Sequence, residues 1–67
     1  MFNVNEFNAM LARKGLTKDE LAKLLGISRD SLYRKIANDG KFVRSEITKM
    51  IEIFGIEDVV RALFFNA

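Results

Sequence analysis

The sequence predicts an all-α protein, a compact bundle of five short helices. Three observations carry this. Four glycines, Gly15, Gly26, Gly40 and Gly55, cut the chain into short segments, and no proline interrupts any of them. Each segment repeats its apolar residues at three- and four-residue intervals, the period of a helix face rather than of a strand. Several segments also open on a residue able to cap a helix.

The first helix is expected over residues 5–14, capped by Asn3 or Asn5 and stopped by Gly15, with Phe7, Met10, Leu11 and Lys14 on one face. The second has the clearest start. In "TKDE", Thr17 takes the cap position and Glu20 the third helical one, a capping box, and Asp19 and Glu20 suit the positive end of the helix dipole. Leu21, Leu24 and Leu25 are expected to point inward, and Gly26 to end the helix. The third starts at the cap Ser28, carries a narrow seam of Leu32 and Ile36, and ends near Asn38, where "NDG" signals a turn.

A fourth helix is expected over residues 44–54, with Ile47, Met50, Ile51 and Phe54 facing the core. A fifth follows over residues 57–64, where Ile56, Val59, Val60, Leu63 and Phe64 repeat the pattern. Ile53 and Phe65 fall off these stripes, by about 240° and about 180° around their helices. They read either as ordinary surface hydrophobes or as a shared apolar patch for self-association.

Sixty-seven residues make one domain, expected over 1–67, near the lower limit for folding alone. With no cysteine and no histidine, disulfides, thiolate metal sites and the usual neutral-pH general base are excluded. The carboxylates are scattered along helices, and no nucleophile motif or phosphate-cradling loop is present. The chain therefore reads as no enzyme, with no cofactor and no metal. No apolar run approaches the roughly 18 residues of a membrane span, and "MFNVNEF" lacks the basic start and apolar core of a signal peptide, so a cytoplasmic location is expected.

The net charge is only +2, but it is unevenly placed. Residues 1–27 carry +1, residues 28–44 carry +3, and residues 45–67 carry −2. A basic middle implies a surface that meets a polyanion.

That basic region begins at a tight joint. Only "GIS" separates the second and third helices, which forces a steep crossing. A steep crossing needs a small residue where the backbones meet, and Ala22 lies one turn before Gly26. Gly26 can take the positive φ that turns the chain, Ile27 plugs the corner, and Leu21, Leu25, Leu32 and Ile36 fill the space beneath. This is the spacing of a helix-turn-helix. "LAKLLGISRDSLYRKI" resembles the core of the phage repressor and Cro-like helix-turn-helix family, the small lambda-repressor-like DNA-binding domains. "GKFVRSEITKMIEIFGIEDVVRALFF" resembles the later part of small phage and prophage regulators in that group, which end in two further helices and an apolar tail. Lys18 departs from the glutamine of many relatives, Val43 replaces a Thr or Ser cap, and Asp30 puts a negative charge on the expected DNA face.

The resemblance implies a sequence-specific transcriptional regulator of bacterial cytoplasm or nucleoid, a repressor that binds a palindromic operator in double-stranded DNA as a homodimer. Its third helix would enter the major groove. Ser28, Arg29, Asp30, Tyr33 and Arg34 would then face the bases. Arg29 or Arg34 suits a bidentate contact to guanine, Asp30 an acceptor for cytosine N4 or a holder of an arginine, and Tyr33 a thymine methyl or a phosphate. Lys18, Lys35, Asn38, Lys41 and Arg44 would meet phosphates. Ile53, Phe64 and Phe65 would form the dimer surface. The alternative is a protein-interaction module that binds and modulates a larger regulator. The low net charge, Asp30 and the apolar tail favour that alternative.

Overall fold

The computed structural model describes residues 2–64, and all regular structure among them is helical. Helix α1 spans Val4–Arg13, α2 Lys18–Leu25, α3 Arg29–Ala37, α4 Arg44–Phe54 and α5 Ile56–Leu63. No helix among the described residues is long and apolar enough to cross a membrane.

The starts follow the caps. Asn3 accepts the Glu6 N–H at 3.0 Å, so α1 begins and ends one residue earlier than expected. Thr17 Oγ1 accepts the Glu20 N–H at 3.1 Å while Glu20 Oε1 accepts the Thr17 N–H at 2.8 Å, completing the capping box of α2. Ser28 Oγ accepts the Ser31 N–H at 3.0 Å. At α4 only half a box exists. Glu46 Oε1 accepts the Val43 N–H at 2.9 Å, but the valine side chain has no oxygen to return the bond.

The turn between α2 and α3 is a Schellman closure. Gly26 adopts φ +74°, its N–H donates to Lys23 O at 3.1 Å, and the Ile27 N–H reaches back to Ala22 O at 3.0 Å. After α3 the chain turns again through two positive-φ residues, Asp39 and Gly40. Gly40 is confined by space as well as by backbone, because a Cβ there would run into the Phe2 ring. Phe2 in turn packs with Phe7 and Phe42, at ring-centroid distances of 5.2 and 6.4 Å.

The core comprises Phe7, Met10 and Leu11 of α1, Leu21 and Ala22 of α2, Leu32 of α3, Met50 and Phe54 of α4, and Val59, Ala62 and Leu63 of α5. Helix α5 packs against both α1 and α4, and α2 packs against α3 and α4. The start of α1 meets the end of α5 where the Asn3 N–H donates to Ala62 O at 2.7 Å. Asp58 ties the same two helices, lying 3.4 Å from Arg13 and 3.2 Å from Arg61.

Several inward assignments are corrected. Leu24 is 47% exposed. Ala22 must face α3 at the crossing, so the buried arc of α2 runs from Leu21 through Leu25 to Ala22. Leu24 lies on the far side of Leu21 from that arc. Lys14 is exposed rather than on the buried face of α1. On α5, Ile56, Val60 and Phe64 point outward, at 60%, 40% and 57% exposed. Its buried side is Val59, Ala62 and Leu63. The short helix thus carries two apolar arcs side by side, which the periodicity had merged into one. Helix α4 is rotated in the same sense, so that Ile53 lies half-buried against the core and Glu46 is buried.

Candidate nucleic-acid interface

Helix α3 is anchored from below. Leu32 is fully buried and Ile36 half-buried, so the opposite face is turned to solvent. Burying a leucine contributes about 1.5–3 kcal/mol, which, with Ile36 beside it, holds a nine-residue helix whose outer face is largely polar. Arg29, Asp30, Tyr33, Arg34 and Ala37 line a shallow, open hollow on that outer face.

Within it, Arg29 is held on two sides. Its Nε lies 3.2 Å from Asp19 Oδ1, in the first turn of α2. Its guanidinium carbon stands 5.3 Å from the centroid of the Tyr33 ring, one turn further along α3. Tyr33 first, and then Asp19, raise the guanidinium's pKa above its ordinary value, so it is charged at every physiological pH. Asp30 and Arg34 are exposed and make no ion pair among the described residues. Ser28 uses its oxygen as the cap of α3 and keeps its hydroxyl proton as a free donor.

The expected phosphate contacts are more scattered. Lys18 is half-buried at the start of α2, while Asn38, Lys41 and Arg44 are exposed on α3's C-terminal end and the segment that follows. Lys35 differs from these. It is half-buried, and its Nζ lies 3.3 Å from Glu46 Oε1, so its ammonium points towards α4. Of the expected dimer residues, Phe64 is exposed, Ile53 packs on its own core, and Phe65 lies outside the described residues.

Three features were missed at the level of sequence. Asp19 is ten positions from Arg29, a spacing without meaning until the crossing of α2 and α3 is known. Glu46 stands at the third position of α4, where a capping glutamate belongs, but burial has no local sequence signal. On α5, Ile56 and Val60 carried no sign of exposure in their apolar pattern, while Phe64 was expected both in that pattern and on a surface.

A basic, exposed helix joined to its predecessor by a tight glycine turn is the arrangement of a helix-turn-helix. Residues 8–38, just under half of the chain, match the family model described as bacterial regulatory protein, Fis family. The match runs from within α1 to the C-cap of α3 and so covers the whole motif. It assigns the chain a helix-turn-helix DNA-binding domain of transcription regulators. Neither the curated proteins nor the solved structures compared with the chain gave a match.

Proposed function

We propose that the protein is a sequence-specific transcriptional repressor of the small phage or prophage Cro-like kind, binding a palindromic operator as a two-fold dimer. Helix α3 enters the major groove, with Arg29, Asp30, Tyr33 and Arg34 towards base edges and Ser28 at its entry. Lys18, Asn38, Lys41 and Arg44 meet the flanking phosphates. Lys35 acts from behind, by fixing α3 to α4. The observation that carries this reading is the outer face of α3, where two arginines, a tyrosine and a carboxylate project from a helix pinned beneath by Leu32.

The dimer is formed by the outward face of α5. Ile56, Val60 and Phe64 make an apolar stripe one helix face wide, with Glu57 and Arg61 along one flank. In an antiparallel pair of α5 helices about a two-fold axis, that flank meets itself, and each Glu57 faces an Arg61 of the other copy. The surface is therefore complementary to itself, as an isologous interface requires.

Selection of bound duplexes from a random pool tests the reading, followed by titration of the winner at two salt concentrations. A palindromic consensus that outcompetes random DNA is expected. No preferred sequence, together with capture of a larger regulator in the absence of DNA, would favour the interaction module instead. The exposed carboxylate of Asp30 in the middle of the face is the observation on that side.

A further inference from the structure

We propose that Asp19 is a specificity-determining positioning residue: it holds Arg29 in one pose, so that the guanidinium is presented to a single base pair. The proposal rests on the reading of α3 as a DNA-reading helix and assigns a role on that site to a residue of the preceding helix.

An arginine side chain free in solvent loses rotamer freedom when it binds a base, and holding it beforehand reduces that loss. Here two groups order it beforehand. Asp19 Oδ1 stands 3.2 Å from Nε as an ion pair, and the Tyr33 ring supports the guanidinium from 5.3 Å. With the carboxylate nearest Nε, the terminal nitrogens are the donors that would form the fork matching O6 and N7 of guanine. Both partners are more than half exposed, so the pair adds little to folding. A contact that does little for stability but fixes a pose at the tip of the reading helix is suited to recognition. The carboxylate has a second effect. Standing in the first turn of α2, it opposes phosphate, and so lowers affinity for DNA on which Arg29 finds no guanine. Asp30, although adjacent to Arg29 in sequence, makes no ion pair with it. The holder is therefore on the other helix, and the pose of Arg29 depends on the angle at which α2 and α3 cross.

Asp19 also suits the dipole of α2, which a purely structural role would explain. A double-mutant cycle separates the two, since the dipole does not depend on Arg29. The protein and its variants Asp19→Asn, Asp19→Glu, Arg29→Ala and the double Asp19→Asn/Arg29→Ala are titrated against the selected duplex, its single-base variants and a random duplex. Asp19→Asn is expected to lower discrimination at one base pair by about tenfold, the low end of what a bidentate contact supplies. The other positions keep theirs, and the random duplex binds as tightly or more so. Arg29→Ala loses the same base pair, Asp19→Glu recovers part of it, and Asp19→Asn adds nothing there once Arg29 is gone. Unchanged discrimination in Asp19→Asn, a loss spread evenly over all positions, or an equal loss without Arg29 would each overturn the clamp alone. Absence of any preferred sequence for the unaltered protein overturns the regulator reading, and the clamp with it.

Discussion

Lys35 Nζ lies 3.3 Å from Glu46 Oε1, the same oxygen that accepts the Val43 N–H at 2.9 Å. One buried carboxylate thus closes the start of α4 and fastens the reading helix to it. Glu46 is only 6% exposed, so removing it leaves a half-buried ammonium without its counter-charge and an amide N–H without its acceptor. Glu46→Ala should lower stability by about 1–3 kcal/mol in urea denaturation. Glu46→Gln keeps an acceptor oxygen and should cost less. If the two variants are equally destabilised, the shared-oxygen account is wrong.

Val43 is 53% exposed and holds a cap position with no side-chain acceptor. Val43→Thr supplies the missing half of the box at no cost to the core. A gain of about 1 kcal/mol is expected. In a domain of this size that raises the thermal midpoint by about 4–8 °C, readable by circular dichroism. A midpoint that stays put would mean the hydroxyl does not reach the Glu46 N–H.

On DNA, the two kinds of basic residue should part company. Arg34→Ala should cost about 1–3 kcal/mol at one base position and leave the others intact. Lys41→Ala should weaken every sequence alike and reduce the salt slope by about one. Matching profiles for the two variants in anisotropy titrations would contradict their assigned roles.

The α5 pairing can be tested by charge reversal. Glu57→Arg and Arg61→Glu each put like charges against each other across the two-fold axis, and each should shift the monomer–dimer equilibrium towards monomer. The double variant restores opposite charges and should recover the dimer in sedimentation equilibrium. Val60→Asp, in the middle of the stripe, should abolish it. A double variant no better than the singles would rule out this antiparallel register.

Glu20 links the fold to acidity. Its hydrogen bonds with Thr17, the backbone one foremost, hold its pKa below the ordinary 4.5 in the folded protein. A depressed folded pKa means stability that is present above the unfolded value and lost as pH falls through the folded one. Glu20→Gln removes that proton linkage. Its urea midpoint should therefore fall less steeply than that of the unaltered protein from about pH 6 to about pH 3. Parallel curves would show that Glu20 contributes nothing to acid sensitivity.

Much of the fold was legible because its cues are local. Thr17 with Glu20, Ser28 before Leu32, and Gly26 between two periodic segments each act over a few residues, and each helix begins or ends within a residue or so of where they point. Helix rotation was less legible. The apolar residues of α5 form a continuous pattern from Ile56 to Phe64, and only the packing of α1 and α4 divides it into a core side and a solvent side. The reading face was legible as composition. Its internal pairing, Asp19 with Arg29 and Lys35 with Glu46, depends on the relative placement of separate helices, which no short stretch of residues encodes.

Six of the eleven buried apolar side chains among the described residues sit on α1 and α5. The turn between α2 and α3 is local, but it cannot bury Leu21 and Leu32 by itself. The reading helix is thus held in place by a closure between residues almost sixty positions apart, where Asn3 meets Ala62. That makes the architecture a ring, and a ring can be opened elsewhere. Joining the end of α5 to the start of α1 through a short linker and cutting the chain in the turn at Asp39–Gly40 would keep the α1–α5 seam while freeing the loop that Phe2 covers. Such a circular permutant would exchange a slow long-range closure for a covalent one, and would fold faster than the natural order of helices allows.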